Sequence, residues 1–238
     1  MALPVINEVP LYKITIPSTQ KQVKFRPFVV KEQKVLLMAL ESQDVEEMID
    51  AMQNTVRACI QDDINVDSLA TFDTEYLFTK IRAKSVGEKT DVGIFCASCE
   101  HVNEISVNLD DVNVDVSNTS MEIKLNEKYV LGMKYPSYRS MGQIISAADK
   151  GSTAANDIFN TALVSLDKLF TEDDVIDMND EPEEERIKFL DNLNPEQFGL
   201  VANFAMNMPQ LTHNIKFKCE KCEKENDQVM QGIQSFFQ

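Results

Sequence analysis

Five cysteines stand in the sequence, and four of them form two pairs of identical spacing, Cys96–Cys99 and Cys219–Cys222. Two residues between cysteines let a tight turn aim both sulfurs at one ion, and two such turns supply the four thiolates of a tetrahedral site. Superimposing Cys96 on Cys219 aligns more than the thiols. Val92 and Ile215 precede them, Glu100 and Glu223 follow, and Asn103-Glu104 falls on Asn226-Asp227. Each segment reads as strand, Cys-x-x-Cys turn, polar tip and a further extended or helical run, which is the pattern of a zinc knuckle. The leading expectation is one zinc shared by Cys96, Cys99, Cys219 and Cys222.

Two other readings stay open. The stretch between the pairs is far longer than in a compact zinc ribbon, so the thiols could be the metal-free vestige of a lost site. A redox pair is the other reading, but such a pair sits at a helix N-terminus after a strand, where the dipole lowers the thiol pKa. Polar, strand-like sequence follows Cys99 instead. His101 and His213 lie near the pairs, yet four thiolates already complete a site. A shared zinc would be structural, since four protein ligands leave no open position for water or substrate. It would tie the central β region to the C-terminal segment. Cys59 falls on an apolar helical stripe and reads as a buried thiol without chemistry.

Other chemistry is thin. There is no Gly-x-Gly-x-x-Gly, phosphate loop or Gly-x-Ser-x-Gly. Glycine totals 7 and histidine 2, both histidines beside cysteine pairs, so a non-enzymatic protein is expected. The acidic run 171–186 fails as a calcium loop. With Asp177 as first ligand, Pro182 stands where glycine is required and Lys188 where a bidentate Glu is required. It reads as a solvated connection into a helix capped by Asp180.

With 23 basic and 39 acidic side chains the formal charge is −16. Such a field repels phosphate backbones and anionic membranes, so neither nucleic acid nor membrane is expected as a partner. The N-terminal stretch is broken by Pro4 and Pro10 and does not read as a signal peptide. No segment approaches the roughly 18 apolar residues of a membrane span. Synthesis in a reducing cytoplasm is expected, where close cysteines point to metal rather than disulfide. There the Asn118-Thr119-Ser120 sequon carries no weight.

The elements that would position the cysteines follow from periodicity. "YKITI" (12–16) and "QVKF" (22–25) alternate as strands around a Pro17-Ser18 turn. Helices are expected over 31–42, 44–60 and 73–85, the last capped by Asp73. From about 90 to 135 the period becomes two, with strands in "TDVGIF", "EISVNL", "MEIKL" and "KYVLGMKY". Helices return over 153–170 and 194–208, the second with Asn194 as N-cap, Pro195 at the first position and Gln197 completing a capping box. The fold class is α+β, with helices flanking a small central antiparallel β region and two strand-CxxC-turn elements. It reads as a single domain over 1–238. An extended N-terminal arm (1–30) leads to a helical part (31–89), and a β part with the first CxxC follows (90–136). A second helical part (137–210) precedes the second CxxC and the C-terminal tail (211–238).

Two stretches resemble a known family. "VKFRPFVVKEQKVLLMALES" (23–42) is similar to the N-terminal signature of T-even-type phage baseplate hub subunits, or baseplate hub assembly proteins. "KFLDNLNPEQFGLVANFAMNMPQLTHNIKFKCEKCEKENDQVMQGIQSFFQ" (188–238) follows the family's order of helix, capped helix, Met-Pro-x-Leu, strand, cysteine turn and closing Gly-x-x-x-Phe-Phe. The resemblance implies a protein of the central baseplate hub of a contractile-tailed phage, made in the host cytoplasm. It implies other hub or tail proteins as partners, with the chain acting as a virion subunit or a transient assembly chaperone. The alternative is a zinc-knuckle nucleic-acid-binding or regulatory adaptor. Phe25 and Phe28 are expected in the core, whereas Phe236 and Phe237, at a chain end, are expected to serve a partner more than the fold.

Overall fold

A computed structural model describes residues 9–117, 119–148 and 153–236. β1 (Tyr12–Thr15) and β2 (Gln22–Phe25) pair as an antiparallel hairpin. Their alternation buries Ile14, Val23 and Phe25, and Phe28 follows them into the core as expected. α1 (Val30–Ser42) begins just after Pro27. The Glu32 carboxylate reaches back to accept the Val29 N–H at 2.9 Å and pairs with Arg26 Nη2 at 2.8 Å. Burial opposes ionisation of Glu32, but the Arg26 and Val29 bonds outweigh it and hold its pKa below the ordinary value.

α2 (Val45–Cys59) is capped by Asp44 Oδ1, which accepts the Glu47 N–H at 3.0 Å, and it buries Ala51, Met52, Val56 and Cys59. Cys59 is therefore a core thiol, and burial pushes its pKa up to about 11. α3 (Thr71–Ser85) starts two residues before its expected cap. Asp73 instead lies buried in the first turn, accepting the Ser18 N–H at 3.0 Å and the Ser18 hydroxyl. A polar turn pressed against a helix needs a buried acceptor, and Asp73 is spent there rather than on capping.

β3 (Lys89–Phe95) and β4 (Val102–Asn108) form the next hairpin. Beyond it, Lys80 of α3 donates through Nζ to the carbonyls of Leu109, Asp110 and Val112 at 3.0, 2.6 and 2.9 Å. Those three bonds fix the turn that delivers β5 (Asn113–Val114).

β6 (Glu122–Lys124), β7 (Val130–Met133), α4 (Tyr138–Ala148) and α5 (Ala154–Val164) follow. The helix expected over 153–170 ends at Val164, and residues 166–170 are a strand, β8 (Leu166–Phe170). Leu166, Leu169 and Phe170 satisfy a helical and an extended pattern alike. Pairing with β7, in the register Leu131↔Leu169, decides for the strand and buries Leu166 completely. β9 (Val175–Asp177) completes the antiparallel order β6-β7-β8-β9.

α6 (Glu183–Asp191) is not capped by Asp180. Pro182 occupies the N-cap position without a side-chain bond, its φ of −55° setting the approach to the helix. In the run before it, Asp177 Oδ1 accepts the Asn179 N–H at 2.9 Å, which makes a turn where the calcium frame had a first ligand. α7 (Pro195–Met206) has the expected capping box, Asn194 Oδ1 accepting from Gln197 N at 2.9 Å and Gln197 Oε1 from Asn194 N at 3.1 Å.

β10 (Leu211–Lys218) and β11 (Glu225–Gln231) form the final hairpin, and β10 also pairs with β5. Gly232, at φ 73°, turns the chain into a 3-10 segment, Ile233–Phe236, that seats Phe236 fully buried. The expectation of a partner-facing Phe236 is thus overturned: the left-handed turn folds the chain end back onto the core. Phe237 and the Asn118 sequon position lie outside the described residues.

The sequence reading treats 1–238 as one domain; the packing groups the elements into two compact units, both discontinuous in sequence. One comprises Met1–Val66, Phe72–Asp115 and Gln210–Gln238, and holds all five cysteines. The other comprises Asp67–Thr71 and Val116–Pro209. Its core gathers Leu131, Leu163, Leu166, Leu190, Val201 and Phe204 between the four-stranded sheet and α5–α7. Small antiparallel sheets with flanking helices make the fold α+β.

Candidate metal centre

Both Cys-x-x-Cys segments sit at the turn of a hairpin, the first between β3 and β4, the second between β10 and β11. Strand follows each turn, so the helix N-terminus that activates a redox pair is missing from both. The turns close alike. Cys96 N–H donates to His101 O at 2.8 Å and Glu100 N–H to Cys96 O at 2.9 Å; Cys219 N–H donates to Lys224 O at 2.9 Å and Glu223 N–H to Cys219 O at 3.0 Å. Glu100 and Glu223 hold left-handed backbone, φ 56° and 59°, at equivalent positions. That conformation costs a non-glycine residue roughly 1–2 kcal/mol, and it persists here twice because both strands and the turn bonds over-determine it.

The two turns face each other. Cys96 Sγ lies 3.6 Å from Cys222 Sγ, and Cys99 Sγ lies 3.6 Å from Cys219 Sγ. All four sulfurs fall within 4.8 Å of one another, Cys96 and Cys219 buried and Cys99 and Cys222 partly exposed. A tetrahedron of thiolates about a zinc at ~2.3 Å places its sulfurs about 3.8 Å apart. The donor set and its spacing therefore fit a metal ion, and the sequence-selected cysteines are brought together despite the long chain between them.

The electrostatics suit the same use. Backbone N–H of Ser98, bonded to Cys96 Sγ at 3.4 Å, leads the causes that bring the Cys96 thiol down to about 6. At Cys219, burial opposes the thiolate, but the N–H groups of Cys222 and Lys221 and the facing Cys99 sulfur outweigh it and lower the pKa. At Cys99 the His101 N–H favours the thiolate, while burial and the three neighbouring sulfurs, of Cys222, Cys219 and Cys96, push it up to about 12. Crowded thiols that resist ionising together are what a dication relieves.

His213 pairs with Met230 in the β10–β11 ladder, away from the thiol cluster, and His101 contributes its carbonyl to the first turn. Asn103 and Asn226 were visible as matched positions in sequence, but their role was not. Each is buried. Asn226 Oδ1 accepts the Ala97 N–H at 3.0 Å across the site, and Asn103 Oδ1 accepts the Glu220 N–H at 2.9 Å in the reverse direction. Their Nδ2 groups donate to equivalent carbonyls of their own turns, His101 O and Lys224 O, both at 3.0 Å. The two hairpins are thus related by a local pseudo-twofold axis through the thiol cluster.

Two of the four lysines of the second cysteine hairpin are paired with acids. Lys216 pairs with Asp227 at 3.1 Å and Lys218 with Glu223 at 3.1 Å. Four thiolates bound to one ion would fill its tetrahedral positions.

Compared with family models, residues 9–238 match the T4 bacteriophage base plate protein family. The chain belongs to that family. No curated protein and no solved structure matches it significantly. The match spans both cysteine hairpins and both compact units of this baseplate protein, well beyond the two terminal stretches that carry the resemblance in sequence. Other phage baseplate proteins follow as its partners. Among the described residues, no helix is long and apolar enough to cross a membrane.

Proposed function

We propose that this baseplate protein is a non-enzymatic structural or assembly component of the central hub of a contractile-tailed phage baseplate, closed on itself by one structural zinc. The observation that carries the reading is the family match over nearly the whole chain. The cysteine centre supports a structural role, because a tetrathiolate site has no open coordination position. Zinc is favoured over other metals by the four-sulfur, tetrahedral donor set, for which iron is the chemical competitor.

α1 supports a role in assembly. Val30, Val35, Leu37, Met38 and Leu40 are all exposed, and only Glu32 and Ala39 of this helix are buried. These apolar residues lie all round the helix, a pattern that belongs to buried helices. In a chain of such high charge, this surface fits burial against another baseplate subunit.

Withholding the protein during infection is the test. Tail precursors lacking a completed baseplate are expected, and mass spectrometry of purified virions then separates a resident subunit from a transient chaperone. Normal baseplates assembled without the protein would refute the reading.

A further inference from the structure

The exchange of side chains across the cysteine centre has a consequence for how metal is held. Asn103 belongs to the first hairpin but satisfies the Glu220 N–H of the second turn; Asn226 belongs to the second but satisfies the Ala97 N–H of the first. Each recipient N–H directly follows a cysteine, Cys96 or Cys219, so each carboxamide sets the backbone from which an opposing thiol projects. Each carboxamide is in turn fixed by its own Nδ2 bond to a turn carbonyl. The arrangement is not wholly symmetric. Asn226 Nδ2 also lies 3.6 Å from Cys96 Sγ as a donor, whereas Asn103 Nδ2 lies 3.4 Å from Ile94 O.

We propose that Asn103 and Asn226 are positioning residues of the metal centre, each seating the opposite cysteine turn so that the four thiols stand at tetrahedral spacing before metal arrives. This rests on the four-thiolate reading of the site. The bonds join protein to protein and do not need the ion. The hairpins are therefore docked and the site pre-organised, and metal binding does not bear the cost of bringing distant segments together. Partners that orient metal ligands in this way typically change affinity by about 10–100-fold when removed.

Cobalt(II) titration of the full-length metal-free chain tests the proposal, with zinc competition giving the affinities. The native chain is expected to take one cobalt with the thiolate-to-cobalt charge-transfer absorption of a four-sulfur site. Asn103→Ala and Asn226→Ala should each still take one cobalt, bound about 10–100-fold more weakly. Asn226→Ala should also shift the charge-transfer band, because it removes an N–H donor from Cys96 Sγ, and Asn103→Ala should not. A control is Thr55→Ala, which removes a buried hydroxyl bonded to Ala51 O at 2.8 Å in α2. It should lower stability and leave metal affinity unchanged. If alanine prevents folding, Asn103→Ser and Asn226→Ser, too short to reach across, carry the same comparison.

Native-like affinity in both asparagine variants, with an unshifted band in Asn226→Ala, overturns the positioning role. A native chain that takes up no cobalt overturns the four-thiolate reading itself, a different and separable failure.

Discussion

Replacing Cys219 with serine removes one ligand of the proposed zinc clamp while leaving β10, β11 and their ladder chemically intact. The cost can be bounded in two ways. Metal that binds only the folded chain stabilises it by about 4 kcal/mol when free metal stands near a thousand times Kd. A cross-link between Cys99 and Cys219, 120 residues apart, restricts the unfolded chain by a similar amount, roughly 5 kcal/mol in the chain-entropy account. For a chain of this size each kcal/mol moves Tm by about 2–4 °C, so a loss of roughly 8–20 °C is expected. The assay is thermal unfolding of the zinc-loaded chain under reducing conditions, run for the native protein, for native protein with chelator, and for Cys219→Ser. Hydrogen exchange should locate the loss. Protection should fall in the β3–β4 and β10–β11 hairpins and persist around Leu131, Leu166 and Val201 in the other unit. If chelator and variant each move Tm by under about 2 °C, the clamp contributes nothing and the reasoning fails.

Phe236→Ala should cost about 3–5 kcal/mol, read as a lowered denaturation midpoint, since the ring is fully buried; an unchanged midpoint would return this residue to a partner-facing role. Cys59, buried and raised to about 11, should stay unmodified when the native zinc-loaded chain is treated with iodoacetamide near neutral pH and read by peptide mass spectrometry; rapid alkylation would contradict its place in the core. Glu32 has a folded pKa below its unfolded value, so its contribution is complete above the unfolded pKa, about 4.3, and is lost as pH falls through the folded one. Glu32→Gln should therefore lower stability by roughly 1–2 kcal/mol at neutral pH and flatten the acid limb of the stability profile; parallel profiles for variant and native would contradict this. Filter binding with DNA or RNA at physiological salt should show no tight, salt-sensitive affinity, given the −16 charge; sub-micromolar binding would favour the adaptor reading.

The cysteine centre was legible because its information is local and duplicated. Each Cys-x-x-Cys turn carries its own strand pattern, and the matched Glu and Asn positions mark the two as copies. The capping box at Asn194 was legible for the same reason, since every partner lies within four residues. The failures have the opposite character. Leu166, Leu169 and Phe170 fit helix and strand equally, and only pairing with Leu131, far away in sequence, makes them a strand. Asp73 has the chemistry of a cap but is claimed by Ser18, 55 residues earlier. Asp180 was passed over because Pro182 sets its own approach to α6. Phe236 stands near a chain end, where fraying is usual, whereas here a left-handed Gly232 folds the last turn inward. Asn103 and Asn226 match in sequence, but no periodicity reveals that two buried amides reach across to each other's turn.

One zinc held by four sulfurs is what the proposed clamp requires. X-ray absorption at the zinc edge, with elemental analysis of the same native preparation, measures both number and ligand shell. One zinc per chain with four sulfur neighbours at about 2.3 Å is the predicted result. Sub-stoichiometric metal, or a shell with nitrogen or oxygen in place of one or more sulfurs, would contradict a clamp formed by Cys96, Cys99, Cys219 and Cys222.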